Sequence, residues 1–348
     1  MTEKDTKGKR RLKISEIAQL ADTSAATVSK VINGYGSVAS DTRDRVERIL
    51  SEIEYSKKPV KHAKSSNIAL LFDRMDRAWV PQMIAGGMRY ADRAGLNLIV
   101  VCRTDDKGRL SSRYLQSLRR SKPLAVVINT TKILPQEQEL FHAMHTDYAV
   151  LDYEGDIAPQ GTKEVRLDNW AGGLAVGRYL LSLGHRRIAI ITGPDDMMCF
   201  QARVDGCKAA LSQASLPAEA NLIRSGDTWS ELARRSALEL FDMEDPPTAI
   251  FATCDVQAIG IYDAAHQRNV SIPRDVSVVG FDDNEFGRHL SKALTTVHQP
   301  YSEMADKAFS LILKSGNSAS TDRGSQSSVD RLLVPPELVI RESTAPVF

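Results

Sequence analysis

A chain of 348 residues, 42% of them hydrophobic, carries enough apolar surface for two or three domains with real cores. Forty-five Lys and Arg stand against 44 Asp and Glu, which sets aside a uniformly basic or acidic chain. No apolar run is long enough to cross a membrane, the N-terminus is charged and lacks a secretory h-region, and Cys102, Cys199, Cys207 and Cys254 show no CxxC pairing. The expectation is a cytoplasmic protein with reduced thiols, no membrane partner, no metal and no cofactor.

The balanced total hides an asymmetry. Met1 to Lys64 holds fourteen Lys and Arg against nine Asp and Glu, a net of +5, whereas the remainder holds 31 against 35, a net of −4. A basic head on an acidic body is the electrostatic footprint of a segment that meets nucleic acid, although Lys4 to Lys13 could equally be a solvated tail.

Beyond a basic tail (1–11), Ile14, Ile17, Ala18 and Ala21 follow the i, i+3, i+4, i+7 rule and predict one helix with an apolar stripe. Asp22, Thr23 and Ser24 interrupt it. Asp22 suits the left-handed backbone of a tight turn, and the Ser24 hydroxyl suits the cap of a second helix starting at Ala25. There Val28, Val31 and Ile32 share an inner face, leaving Ala25, Ala26, Thr27, Ser29, Lys30 and Asn33 outward. Small residues allow close approach to base edges, hydroxyls and Asn reach phosphates, and Lys30 supplies a charge or reads guanine. The expected division is Ser24, Thr27, Ser29 and Asn33 on phosphates, with Ala25, Ala26 and Lys30 on bases. A third helix, Thr42 to Glu54, closes the core with Val46, Ile49, Leu50 and Ile53.

The run ISEIAQLADTSAATVSKVINGYGSVASDTRDRVERILSEIEY, and later LGHRRIAIITGP, PTAIFATCD, IPRDVSVVGFDD, LTTVHQP and LLVPPELVIRES, resemble the lactose-repressor (LacI/GalR) family from end to end. The resemblance implies an N-terminal all-α helix-turn-helix headpiece (12–55), a linker (56–66) and an α/β two-lobed periplasmic-binding-protein-like sensor domain (67–348). It further implies a homodimer on a near-palindromic operator of double-stranded DNA, a small-molecule effector that is a sugar or a related polar metabolite, and repression. The linker departs from the family. It is short and lacks the leucine that wedges into the minor groove, so Lys57, Lys58 and Lys61 are expected to attract phosphate without intercalation. The chain also lacks a leucine-heptad tail after Ser343, which disfavours a tail-mediated tetramer.

From Asn67 onward, apolar runs at 68–72, 96–101, 124–129 and 148–151 form one series. Those at 187–192, 221–225, 248–252 and 276–281 form a second. Strands alternating with amphipathic helices mean two parallel sheets with a cleft between them. The resemblance implies three crossings between lobes, expected near Asp168, Leu290 and Arg323. That gives a first lobe of about 67–168 and 291–322 and a second of about 169–290 and 323–348. The polar stretch Ser315 to Ser328 is expected as a surface loop.

Ligands collect at the carboxyl ends of parallel strands. Asp73, Asn129, Asp152, Arg203 and Asp282 offer donors and acceptors there, while Trp79 and Trp229 offer flat faces. Family position supports Arg203, Trp229 and Asp282. Where many relatives have Asn-Asp, this chain has Cys254-Asp255, which removes an amide from the pocket. Asp282 and Asp255 could equally cap the following helix, and either tryptophan could anchor a loop. Gly172, Gly173 and Gly177 open a helix without a following Lys-Ser/Thr and read as packing glycines, His142 and His145 lack a third metal ligand, and neither a G-x-S-x-G elbow nor H-E-x-x-H is present, so no enzyme activity is expected. Two alternatives stay open: a regulator answering to a partner protein or to nothing, and a metabolite-binding protein that has lost DNA control.

Overall fold

The computed structural model describes residues 14–32, 38–52, 65–105, 108–130, 132–153, 162–216, 219–315 and 331–347. The chain forms two compact units, one ending at Ala63 and the other starting at Lys64. Residues 56–64 of the linker and the stretch 316–328 lie outside the described residues.

In the first unit α1 (Ile14–Leu20), α2 (Ala25–Ile32) and α3 (Ser40–Glu52) pack on one another. The break between α1 and α2 is chemical. Asp22 takes φ 45, and the Ser24 Oγ accepts the Thr27 N–H at 3.0 Å, filling one of the donors a helix start leaves open. Ile17, Ala18, Ala21, Val28, Val31 and Val46 are buried together, with Val38, Ile49 and Leu50 against them. Burial of each larger side chain contributes about 1.5–3 kcal/mol. Ile14, expected in the stripe, is 38% exposed instead. As the first residue of α1 it has no turn beneath it to complete the face.

The larger unit begins with β1 (Asn67–Phe72), α4 (Val80–Ala94), β2 (Asn97–Cys102), α5 (Ser112–Ser121), β3 (Ala125–Asn129), α6 (Pro135–Met144), β4 (Asp147–Leu151) and β5 (Lys163–Leu167). It continues through α7 (Asn169–Ser182), β6 (Ile188–Ile191), α8 (Met198–Gln213), β7 (Ile223–Arg224), α9 (Ser230–Phe241), β8 (Ala249–Ala252), α10 (Asp255–Arg268) and β9 (Ser277–Val279). The last elements are β10 (Thr296–His298), α11 (Tyr301–Ser315), β11 (Arg331–Val334) and β12 (Glu337–Val339).

The first lobe is a parallel sheet ordered β11-β5-β4-β3-β1-β2, and the second is a parallel sheet ordered β7-β6-β8-β9. The central strands are buried on both faces, which is why β1, β3, β6 and β8 read as continuous apolar runs instead of alternating ones. Tyr114, Leu118, Leu140 and Phe141 of α5 and α6 cover one face of the first sheet, and α4 packs beside α11 on the other.

Two expected crossings move. β10 pairs antiparallel with β12, and Thr295 and His298 bridge Val279 and Asp282, so the chain stays in the second lobe past 290 and leaves it between His298 and Tyr301. β11 pairs with β5 and completes the first sheet, so the return falls after Val334 and not near Arg323. β5 escapes the sequence series because KEVRL holds only two apolar residues, and its Glu164 is 2% exposed between Arg166 and Arg331. Neighbouring strands, not its own hydrophobicity, make it a strand.

Candidate DNA-reading helix and interlobe cavity

On α2 the inner positions Val28 and Val31 are buried, Ser24, Ala25, Ala26 and Lys30 are exposed, and Thr27 and Ser29 are half-buried. Of the outward set expected to meet DNA, Ser24 and Thr27 also meet each other, their hydroxyls 2.8 Å apart. Asn33, Lys57, Lys58 and Lys61 lie outside the described residues. The small, hydroxylic and cationic surface is held by a rigid inner face, as groove reading requires.

In the larger unit a cavity of about 1030 Å³ opens between the lobes at the carboxyl ends of both sheets. Asp73 follows β1, Asn129 ends β3 and Asp152 follows β4; Cys254 follows β8 and Asp282 follows β9. Trp79, Arg203 and Trp229 complete the set of sequence candidates in its wall. Asp255 is the exception. It is fully buried, with Oδ1 accepting the Thr296 hydroxyl and Oδ2 the Asn284 N–H, each at 2.6 Å, so it braces a loop and does not line the cavity. Burial holds its carboxyl well above the usual range, with Asp282 adding to the effect.

Arg203 organises the cavity floor. It leaves α8 with its guanidinium 3.8 Å above the Phe281 ring. Its Nε donates to Asn169 Oδ1 at 2.8 Å, Nη1 donates to the Thr253 carbonyl at 2.7 Å and lies 3.2 Å from Asp282 Oδ1, and Nη2 donates to Gln299 Oε1 at 3.2 Å. Gln299 in turn donates to Asp152 Oδ2 at 2.9 Å. The chain Asp282, Arg203, Gln299, Asp152 therefore runs from the second lobe through a crossover segment to the first. Burial works against the charge of Arg203, but the groups around it, Asp282 foremost and Asp152 among them, together more than offset that and hold the guanidinium charged. Burial also pushes the Asp282 carboxyl up to about 6 against the pull of Arg203, and raises that of Asp152. Both aspartates sit at positive φ, 47 for Asp152 and 110 for Asp282, an unfavourable backbone for a residue with a Cβ.

Glycines on the facing sides of α7 and α8 make this floor possible. A Cβ on Gly173 would stand 1.9 Å from the Arg203 carbonyl oxygen, and one on Gly206 would stand 2.0 Å from that of Trp170. They are packing glycines, letting α7 and α8 approach closely enough to set the Arg203 position.

The walls differ in kind. Trp79 stacks on Tyr301, centroids 5.5 Å apart, and the Tyr301 hydroxyl donates to Asp282 at 3.2 Å. Trp79 is half-buried and anchored, so only part of its face is open. Trp229 is 49% exposed. At the mouth Arg77 of the first lobe donates to the Thr228 hydroxyl of the second and lies 5.8 Å over the Trp229 ring. Asn129 donates to the Leu151 carbonyl at 2.9 Å, leaving its Oδ1 as the available acceptor. Asp73 accepts from Arg103 and from Thr130 at 2.7 Å. Cys254 is buried with Cys199 and Phe200, its thiol pushed up to about 12 by burial. Gln299, Tyr301, Thr130, Phe200 and Asn284 are part of the site or its frame and were not among the candidates. Gln299 and Thr130 directly follow strand ends, of β10 and β3, the one signal that marked them. Among the described residues no three His, Cys, Asp or Glu side chains are placed to hold a metal, and no helix is long and apolar enough to cross a membrane.

Two family models match the chain: bacterial regulatory proteins of the lacI family over residues 13–58, and a periplasmic binding protein-like domain over residues 178–344. The HTH-type transcriptional repressor PurR of Vibrio atlanticus (strain LGP32) is 29% identical over 307 residues, covering 86% of this chain and 91% of its own length. The ribose operon repressor of Haemophilus influenzae is 29% identical over 334 residues, with coverage of 95% and 98%. Among solved structures, the lac repressor dimer bound to operator and the anti-inducer ONPF superposes with a TM-score of 0.68 at 22% identity, covering 97% of this chain and all of that one. A helix-turn-helix headpiece in one chain with a two-lobed periplasmic-binding-protein-like domain is the architecture of a DNA-binding regulator. The two matched models, together with these relatives, support a LacI/GalR-family transcriptional regulator.

Proposed function

We propose that this protein is a sequence-specific repressor that binds a near-palindromic operator as a homodimer and is controlled by a small polar metabolite, a sugar or sugar derivative, held between the lobes. Ser24, Thr27, Ser29 and Asn33 meet phosphates and Ala25, Ala26 and Lys30 meet bases, while the basic linker residues Lys57, Lys58 and Lys61 add sequence-independent attraction. Asp73, Trp79, Asn129, Asp152, Arg203, Trp229, Cys254 and Asp282 face the effector.

The observation that carries this reading is the bipartite wall of the cavity, with buried donors and acceptors from both lobes linked through Gln299. A ligand touching both lobes binds one lobe arrangement better than another, and differential affinity is what shifts a conformational equilibrium. Allosteric coupling of this kind is worth about 1–3 kcal/mol in ordinary systems. Relatives named as the HTH-type transcriptional repressor PurR and the ribose operon repressor support the reading of repression and of a sugar-related effector.

The test is selection of bound duplexes from a random pool, repeated with a panel of sugars and sugar phosphates. A palindromic motif released by one compound is the expected result. Recovery of no motif would overturn the operator reading, and a motif that survives every compound would overturn control by a sugar.

A further inference from the structure

The loop after β9 holds three consecutive polar residues, Asp282, Asp283 and Asn284, all nine-tenths or more buried. The two aspartates have partners: Asp282 through Oδ1 with Arg203 and Tyr301, Asp283 with Arg341 and with His298 Nδ1 at 2.9 Å. Asn284 is fixed through its backbone, whose N–H donates to Asp255. Its side chain is different. Only 2% of the residue is exposed, it borders the cavity, and neither Nδ2 nor Oδ1 has a hydrogen-bond partner among the described residues. An amide removed from water without partners is a standing cost to the fold, and native proteins retain such groups where something else completes them.

The charges around it narrow what that something is. The wall carries six carboxylates, Asp73, Asp76, Asp105, Asp152, Asp196 and Asp282, against three guanidiniums. Each guanidinium has a partner already: Arg74 with Asp76, Arg77 with Thr228, and Arg203 with the floor network. Asp73 and Asp105 have their own cations in Arg103 and Arg109, and Arg77 bonds only a neutral hydroxyl at the mouth; beside Asn284 an anionic group would meet Asp282, whose cation Arg203 is already shared with the floor network. Near the second-lobe strand ends, Cys199, Cys254, Phe200 and Met197 form a sulfur-rich apolar surface that solvates no charge.

We propose that Asn284 is a ligand-contacting and specificity-determining residue, its amide receiving an uncharged donor–acceptor pair on the effector, such as neighbouring hydroxyls or an amide edge, and that phosphorylated or carboxylated counterparts are rejected. This rests on the effector-controlled reading above. It narrows that reading to neutral metabolites. An amide is both donor and acceptor, so a partner offering both satisfies it completely, whereas a phosphate accepts only and leaves Oδ1 unpaired against its own negative charge.

The test uses the full-length protein and its Asn284→Leu variant. D-ribose, D-glucose and adenosine, each beside its phosphate ester, are titrated calorimetrically, and thermal unfolding is followed without ligand. The expected result is binding of a neutral compound over its ester, weakened about ten-fold or more by Asn284→Leu, while the ligand-free variant unfolds at the same or a higher temperature because an unpaired amide has been removed. Unchanged affinity in a variant that melts lower would make the amide structural, completed by trapped water, and would overturn the proposal. Preference for the phosphate ester would overturn it as well. Binding of no compound while operator DNA is still bound would instead overturn the effector reading beneath it.

Discussion

Replacing Gly173 by alanine tests the link between packing and site most directly. The added Cβ falls 1.9 Å from the Arg203 carbonyl oxygen and 2.7 Å from its carbonyl carbon, where ordinary contact begins at 3.4 Å. Both atoms are backbone, so no side chain can turn aside and α7 and α8 must part by about 1.5 Å. Arg203 rides on that turn of α8. Its hydrogen bonds of 2.7–3.2 Å to Thr253, Asn169 and Gln299 stretch past hydrogen-bonding range, and Asp282 loses its closest cation. Overpacking costs about 1–3 kcal/mol, and weakening a buried ion pair costs up to about 3–5 kcal/mol when fully broken. A combined loss of about 3 kcal/mol lowers the melting temperature by roughly 5–10 °C in a unit of this size. Calorimetric unfolding and effector titration on the same preparation should show lower stability and weaker binding together. A variant that melts like the parent and binds the effector equally well would refute the claim that these glycines set the Arg203 position.

Ser24→Ala removes the acceptor for the Thr27 N–H and should destabilise the headpiece by about 1 kcal/mol, read as weaker binding to every DNA sequence in proportion; unchanged binding would show that the cap is dispensable. Lys30→Ala should relax specificity at one base pair by about 1–3 kcal/mol in a mobility-shift series over point-mutated operators, and a uniform loss would make Lys30 a phosphate contact. Asp282 holds its proton more tightly in the fold than in the unfolded chain, so its contribution to stability is complete below about pH 4 and is lost as pH rises through about 6. At roughly 1.4 kcal/mol per pKa unit this is on the order of 2–3 kcal/mol. His185, whose pKa burial lowers, acts in the opposite direction over the same range, its contribution being present above its ordinary pKa and lost on acidification. The comparison with Asp282→Asn isolates the carboxyl: the melting temperature of the variant should decline less between pH 5 and 7 than that of the parent, and parallel profiles would count against a proton held at Asp282.

Within the described part of the headpiece the cap, the turn and the buried stripe were legible, because their rules are local. A serine that caps, an aspartate that turns and valines three residues apart act within one helical turn. Even there Ile14 was misplaced, since burial at a helix end depends on a neighbour that periodicity does not supply. In the larger unit the long apolar strands stood out because parallel strands are buried on both faces. β5, β10, β11 and β12 did not, since their strand character comes from pairing partners distant in sequence, and two of the crossings were misplaced for the same reason. Most cavity residues were identified at strand ends, yet Asp255 was not distinguished from its neighbours. Whether a carboxylate lines the cavity or braces a loop is decided by Thr296 and Asn284, dozens of residues away.

By itself, then, the sequence determined the headpiece, its outward chemistry, the two-sheet class and the family resemblance, each carried by spacing within a few residues or by motifs along the chain. Only the tertiary structure decided that Asp152, Arg203, Asp282 and Gln299 form one buried chain across the lobes, that Gly173 holds it in place, and that the Asn284 amide is left without a partner among the described residues. Those facts are distances between positions far apart in the chain, and they exist only once packing has fixed which side chains satisfy one another and which remain for a ligand.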